Sequence, residues 1–87
     1  MEIRVLKYFL AVAREENISR AAENLHITQP TLSRQISQLE EELGTKLFER
    51  GKHLTLTEAG VMLRRRAEEV TELVDRIESD FAEPAEV

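Results

Sequence analysis

The apolar positions near the start of the chain recur with the spacing of an amphipathic helix. Steps of three and four residues place side chains on one face, because an α-helix turns once in about 3.6 residues. This pattern predicts a first helix over residues 3 to about 16, with Asn17 as its stop. The apolar residues at these steps are Leu6, Phe9, Leu10 and Ala13, and Val5, Tyr8 and Val12 widen the same face.

A second, shorter helix is predicted over residues 19–25. Ser19 can cap its start, because a serine hydroxyl oxygen accepts a backbone N–H of the first turn. Ala21, Ala22 and Leu25 give the helix an inner face of mostly small side chains, which lets another helix approach closely. The two residues His26 and Ile27 form a tight link to the next element.

The third helix is predicted over residues 28–43. Thr28 is its cap, and Pro30 falls in the first turn, where the missing N–H of proline costs no hydrogen bond. Gly44 follows the last apolar position, and a glycine there favours the left-handed conformation that ends many helices. The apolar residues that would share one face are Leu32, Ile36, Leu39 and Leu43.

Two short strands are predicted at residues 46–50 and 54–56, around the turn Gly51-Lys52-His53. A short glycine-containing segment between two apolar runs is typical of a hairpin. Leu47 and Phe48 are adjacent apolar residues, so the first strand does not alternate cleanly between an inner and an outer face.

The last predicted helix covers residues 57–81, with Thr57 as its cap. Its apolar residues step alternately by four and three, which is the heptad spacing of helices that pair with each other. At 1.5 Å per residue the helix is roughly 37 Å long. This seam either packs on its own domain or pairs with a second chain. The length favours a homodimer, because a small domain over residues 1–56 would leave much of the seam uncovered. The predicted dimer contacts are Leu63, Ala67, Val70, Val74, Ile77 and Phe81.

The composition fits one small globular domain with a marginal core, because the chain has 87 residues and no cysteine to form a disulfide. The sequence shows no signal segment and no apolar run of the roughly 20 residues that a membrane span needs. We therefore expect a cytoplasmic protein without a membrane partner, a metal site or a cofactor of its own. Residues 82–87, which include Pro84, are predicted to be a disordered tail at the start of a hinge.

The net charge of −5 does not suit a protein that binds a polyanion, but the charge is unevenly distributed. Residues 67–87 hold one base and eight acids, whereas residues 1–66 hold 11 bases and 9 acids. An acidic end beside a mildly basic domain is compatible with DNA binding. It predicts modest non-specific affinity, because few phosphates can be neutralised.

The exposed face of the third helix is almost free of charge. Between Gln29 and Leu39 it carries one charged residue, Arg34, in a chain that is 33% charged. Glutamine can pair with adenine, arginine with guanine or a phosphate, and hydroxyl groups with base edges or phosphates.

Two helices joined by a short turn are typical of a helix-turn-helix, whose second helix enters the major groove. A polar face that binds nothing is the alternative. The residues predicted to meet DNA are Gln29, Pro30, Thr31, Ser33, Arg34 and Gln38.

Basic residues also gather at the predicted hairpin tip, where Arg50, Lys52 and His53 lie. They form either a wing along the DNA or a solvated turn, and their position after a helix-turn-helix favours the wing. Arg64, Arg65 and Arg66 near the start of the last helix fit a phosphate contact and a solvated turn equally well.

The sequence resembles the N-terminal DNA-binding domain of LysR-type transcriptional regulators over nearly its whole length. The resemblance implies a winged helix-turn-helix (three helices plus a small β-hairpin wing) followed by a long linker helix that pairs two subunits. It also implies a separate effector-binding domain for a small-molecule inducer, and a higher oligomer in the longer protein. We expect that domain to be absent here, because the chain is either cut after the linker helix, which we favour, or naturally short. The matching residues are 6–9, 19–22, 25, 28–36, 39–44, 47–50 and 56–60.

The resemblance further assigns roles to residues and shows one departure. It implies that Gln29, Pro30, Thr31, Ser33 and Arg34 meet the operator, and that the wing around Arg50 touches the DNA backbone. The wing is about one residue shorter than the family pattern, and His53 stands where that pattern often has a basic residue.

Two other functions compete with DNA binding. The first is a protein-interaction module in which the heptad helix is the working part. The second is a small hydrolase, which the sequence does not favour. His26 and His53 have no acid at local helical spacing, the paired glutamates lie on faces expected to be solvated, and there is no glycine-rich phosphate loop. We expect the protein not to be an enzyme.

Overall fold

The computed structural model describes residues 1–82, which form four helices and one hairpin in the predicted order. The two strands pair antiparallel, so the mainly helical fold class with a small hairpin is confirmed. Of the predicted disordered tail, Ala82 is still helical and residues 83–87 lie outside the described residues. The elements are α1 (Ile3–Glu15), α2 (Ile18–Leu25), α3 (Gln29–Leu43), β1 (Phe48–Arg50), β2 (Leu54–Leu56) and α4 (Glu58–Ala82).

The junction between α1 and α2 differs from the prediction. Glu16 is left-handed at φ 54°, and its N–H donates to the carbonyl of Val12, so α1 ends one residue earlier than predicted. Asn17 begins α2 rather than stopping α1, because its Oδ1 accepts the backbone N–H of Arg20 at 2.8 Å. The prediction that Ser19 caps α2 is therefore wrong, and its hydroxyl is left for another partner.

Both ends of α3 are built as predicted. Oγ1 of Thr28 accepts the backbone N–H of Thr31 at 3.2 Å, which caps the first turn. At the other end Gly44 has φ 74°, and its N–H donates to the carbonyl of Glu40 at 2.8 Å. Glycine suits this position because a left-handed backbone costs it no steric strain.

The core lies where α1, α2, α3 and the first residues of the hairpin meet. The rings of Phe9 and Phe48 have centroids 5.4 Å apart, a separation at which tilted aromatic rings attract each other. No polar or charged side chain is buried among residues 1–82. Each large apolar side chain that leaves water contributes roughly 1.5–3 kcal/mol to folding. The largest fully buried ones are Phe9, Leu32, Leu39, Leu47 and Val12.

The first strand of the hairpin is shorter than predicted. β1 starts at Phe48, two residues later, and pairs in the register Phe48 with Leu56 and Arg50 with Leu54. Leu47 and Phe48 are both buried. This explains why the first strand showed no clean alternation in the sequence.

The cap predicted for α4 is confirmed, because Oγ1 of Thr57 accepts the N–H of Gly60 at 3.0 Å. Gly60 and Ala67 are buried against the rest of the chain. From residue 75 to residue 82 every residue of α4 is exposed. The helix therefore projects from the domain and gives the molecule a length of 56 Å against 25 and 20 Å in the other directions. No helix in the described part of the chain is long and apolar enough to cross a membrane.

Candidate nucleic-acid interface

The face of α3 opposite its buried residues is open to solvent. Leu32, Ile36 and Leu39 are at most 2% exposed and hold the helix against the core. The predicted DNA-facing residues consequently lie at the surface or at its edge. Gln29, Pro30, Arg34 and Gln38 are exposed, and Thr31 and Ser33 are half-buried.

Arg34 is the one charged residue of α3 between Gln29 and Leu39. Its exposed guanidinium forms no ion pair with any residue between 1 and 82. A guanidinium offers five N–H donors and keeps its charge at any physiological pH. Arg34 can therefore reach an external acceptor without first breaking an ion pair in its own chain.

The turn between α2 and α3 fixes how the two helices cross. His26 is left-handed at φ 60°, and the N–H of Ile27 donates to the carbonyl of Ala22 at 3.1 Å. The helices are also joined by side chains, because the hydroxyl of Ser19 donates to Oε1 of Gln29 at 2.8 Å. The first residue of α3 is thus tied to the first turn of α2.

One open groove brings together residues from α2, α3 and the hairpin. It has a volume of about 270 Å³, and both Gln29 and Arg50 line it beside Asn17 and Ser19. Gln29 and Arg50 were singled out separately in the sequence, 21 residues apart. The fold places them on one continuous concave surface.

The hairpin tip carries Lys52 and His53, which are fully at the surface. The N–H of Gly51 donates to the carbonyl of His53 at 3.4 Å and closes the turn. Arg50 and Lys52 form no ion pair within residues 1–82, so the tip carries uncompensated positive charge.

Gln38 lies apart from that groove. It lines a second depression of about 300 Å³ between α3 and the start of α1, together with Met1 and Glu42. The Met1 amine donates to Oε2 of Glu42 at 2.8 Å. This hydrogen bond and the negative charge of Glu42 raise the pKa of the amine above its ordinary value of 8.0. Gln38 therefore shares its depression with the two carboxylates of Glu2 and Glu42, whereas Gln29 shares its groove with Glu16 and the basic Arg50.

The predicted dimer seam on α4 divides into two parts. Ala67 is 0% exposed and Leu63 packs against the core, so these two residues serve their own domain. Ala67 has no exposed side-chain surface to offer a second subunit, whereas Leu63 is half-buried and its place in a subunit contact stays a prediction. Val70, Ile77 and Phe81 are 37%, 56% and 87% exposed, and Val74 is half-buried. The sequence reading also omitted three exposed apolar residues of α4, namely Val61, Met62 and Leu73.

Sequence reasoning missed two polar residues that position this surface. Ser19 was read as a cap, and nothing in the local sequence indicates its bond to a residue ten positions away. Glu40 directly follows the acid-free stretch from Gln29 to Leu39, and its carboxylate turns back toward the hairpin and is 13% exposed. Both contacts depend on how elements cross, which spacing within a single element does not reveal.

Comparison with known proteins agrees with this geometry. Residues 3–61 match the family described as "Bacterial regulatory helix-turn-helix protein, lysR family". The chain is 50% identical over 72 residues to the HTH-type transcriptional regulator BsdA of Bacillus subtilis, covering 80% of this chain and 25% of that protein. It is 47% identical over 91 residues to the HTH-type transcriptional regulator ClcR of Pseudomonas putida, covering 100% and 31%.

Solved structures show the same likeness. The BenM_DBD/catB site 1 DNA complex has a TM-score of 0.87 and 45% identity, covering 91% of this chain and 86% of that chain. The CbnR_DBD-DNA complex has a TM-score of 0.86 and 42% identity, covering 92% and 93%. The chain thus spans about a quarter to a third of the curated relatives, whereas it matches nearly the whole of these two shorter chains.

Proposed function

Because the chain belongs to the lysR family of bacterial regulatory helix-turn-helix proteins, we propose that it is the sequence-specific DNA-binding domain of a transcriptional regulator. The observation that carries the proposal is the exposed, acid-free stretch of α3 from Gln29 to Leu39, whose first residue shares a groove with Arg50 of the hairpin. Two of the solved structures that are similar to it over more than nine tenths of its length are DNA complexes. The relatives carry names of transcriptional regulators, so the role we propose is regulatory and not enzymatic.

In this proposal α3 enters the major groove with its N-terminal half toward the bases. Gln29, Thr31 and Ser33 face base edges, and Arg34 holds a guanine or a phosphate. Arg50 and Lys52, with His53 beside them, lie along the DNA backbone next to the groove that α3 occupies. Pro30 and Gln38 contribute contact at the edge of this surface.

We further propose that the domain works as a homodimer on a roughly palindromic operator. The uncovered part of α4, from Val70 through Val74 and Ile77 to Phe81, provides the subunit contact. A two-fold protein matches a two-fold site, since each subunit then reads one half-site with its own α3. The effector-binding domain, its small-molecule inducer, any higher oligomer and a cytoplasmic location belong to the longer protein that we propose this chain is part of.

The salt dependence of binding tests the proposal against a protein-interaction module. Duplexes selected from a random-sequence pool by the 87-residue chain are labelled and titrated by fluorescence anisotropy. Three basic residues in each subunit (Arg34, Arg50 and Lys52) neutralise six phosphates in a dimer, so affinity should fall about a thousandfold between about 50 and 200 mM salt. The proposal fails if no sequence is enriched. It also fails if the affinity does not change with salt concentration, which is the behaviour expected of an apolar contact through α4.

A further inference from the structure

The hydroxyl of Ser19 has a side-chain partner across the helix-turn-helix. It donates to Oε1 of Gln29 at 2.8 Å, and both residues are exposed. The cap of α2 is supplied by Asn17, so the Ser19 hydroxyl is not needed at the helix start. A hydrogen bond between two neutral exposed groups competes with water and contributes little net stability. The geometry therefore suits orientation of Gln29 better than stabilisation of the fold.

We propose that Ser19 is a positioning residue that sets which base Gln29 selects, an inference that rests on the proposed DNA-binding function. A glutamine amide carries one acceptor oxygen and an NH₂ group with two donor hydrogens. The bidentate pairing of glutamine with adenine uses both ends, because adenine offers the N6 donor and the N7 acceptor. In this chain Ser19 occupies one of the two lone pairs of the oxygen and restrains the amide plane, so the NH₂ group is the less hindered end for the DNA.

Other side chains near the start of α3 also have hydrogen-bond donors to offer a ligand. The hydroxyl of Thr28 donates to Oγ1 of Thr31 at 2.8 Å, and its oxygen accepts the backbone N–H of Thr31. The hydroxyl hydrogen of Thr31 is then available to an external acceptor. Arg34 contains only donors. The start of α3 thus presents donors to its ligand.

A donor surface selects a base edge that carries acceptors. In the major groove guanine presents the two acceptors N7 and O6, whereas cytosine presents its N4 donor and adenine presents one donor and one acceptor. The NH₂ group of Gln29 can satisfy both guanine acceptors without using its oxygen. The expected preference at the base pair read by Gln29 is therefore guanine. Removing the Ser19 hydroxyl frees Oε1 and shifts the preference toward adenine.

The test compares base frequencies among duplexes selected from a random-sequence pool. Parallel selections use the full 87-residue chain as wild type and as Ser19→Ala, Ser19→Thr, Gln29→Ala and Ser79→Ala. The base pair that Gln29 reads is the one whose preference disappears in Gln29→Ala. Ser79→Ala is the matched control, because Ser79 is an exposed serine on the projecting part of α4. Thermal unfolding of each variant reports whether the fold is intact.

At this base pair we expect guanine with the wild type, Ser19→Thr and Ser79→Ala. With Ser19→Ala the ratio of guanine to adenine should fall by at least about fivefold, within the range that one bidentate contact discriminates. Three results overturn the inference and leave DNA binding standing: unchanged frequencies in Ser19→Ala, a wild-type preference for adenine, or no position that responds to Gln29→Ala. If the wild-type chain enriches no sequence, the proposed function fails as well.

Discussion

The carboxylate of Glu40 accepts the backbone N–H of Leu47 at 2.7 Å and so joins the end of α3 to the start of the hairpin. The same oxygen lies 3.3 Å from the N–H of Phe48. Glu40 is 13% exposed, and Nζ of Lys46 lies 3.8 Å from its other oxygen. This one side chain therefore sets the position of the wing relative to the helix proposed to enter the major groove.

Replacement of Glu40 by alanine should destabilise the domain. Two part-buried N–H groups lose their acceptor, and each such loss costs about 1–3 kcal/mol when water does not replace it. The free energy of unfolding, measured by urea denaturation, should fall by at least about 1 kcal/mol. Glu40→Gln keeps an acceptor oxygen and should lose less. Glu41→Ala is the control, since Glu41 is exposed and should change stability by less than about 0.5 kcal/mol. Equal losses in Glu40→Ala and Glu41→Ala would contradict this role.

Replacement of Gly60 by alanine should also destabilise the domain, although alanine normally favours a helix over glycine by about 1 kcal/mol. A Cβ at Gly60 would overlap the carbonyl oxygen of Leu47 and lie 2.8 Å from Cδ2 of Leu56. Such overpacking costs about 1–3 kcal/mol or more. Gly51→Ala is the matched control, because nothing lies within 4 Å of a Cβ there. The melting temperature should fall for Gly60→Ala and stay within a few degrees for Gly51→Ala. A rise for Gly60→Ala would show that α4 does not pack this closely.

Features that depend on residues close together in the chain could be predicted from the sequence. The helices, the cap at Thr28 and the left-handed glycine at Gly44 could be predicted, because each depends on residues within a turn or two of one another. The exposed face of α3 could be predicted for the same reason. The cap of α2 was misassigned because Asn17 and Ser19 both have side chains that can cap a helix. The left-handed backbone at Glu16 ends α1 directly before Asn17, which makes Asn17 the cap.

Contacts between elements could not be read from spacing. The heptad on α4 correctly marks one apolar face, but which part packs on α1 and which part remains open depends on where the domain ends. Ala67 is buried and Phe81 is 87% exposed although they belong to the same seam. The bond from Ser19 to Gln29 likewise needs the crossing of two helices, which their separate patterns do not define.

The amine of Met1 predicts a pH dependence of stability. Its hydrogen bond to Glu42, and then the charge of Glu42, raise its pKa in the folded chain above the ordinary 8.0. The folded chain therefore holds this proton more tightly than the unfolded chain does. The resulting stability is fully present below about pH 8 and is lost as pH rises through the folded pKa. The melting temperature of the wild type should fall more steeply above pH 8 than that of Glu42→Gln. Parallel curves for the two proteins would exclude this contribution.

Replacement of Ile77 by aspartate should dissociate the proposed dimer without unfolding the chain. Ile77 is 56% exposed, so an aspartate there meets water in the single chain but would be buried in a subunit contact. Sedimentation velocity should give a dimer for the wild type and a monomer for Ile77→Asp, with unchanged helical circular dichroism. Ser79→Asp adds the same charge elsewhere on this exposed part of α4 and should remain dimeric. A wild-type chain that stays at 10.0 kDa at high concentration would rule out pairing through α4.

The affinity of Arg34→Ala for a selected duplex is the decisive measurement of whether α3 binds DNA. Arg34 is the one charged group of α3 between Gln29 and Leu39, and its loss should weaken binding by about 1–3 kcal/mol with an unchanged melting temperature. Arg76→Ala is the matched control, because it removes an exposed arginine from the acidic part of α4. We expect a loss of about fivefold to 150-fold for Arg34→Ala and no loss for Arg76→Ala. Equal affinities of Arg34→Ala and the wild type would contradict this expectation.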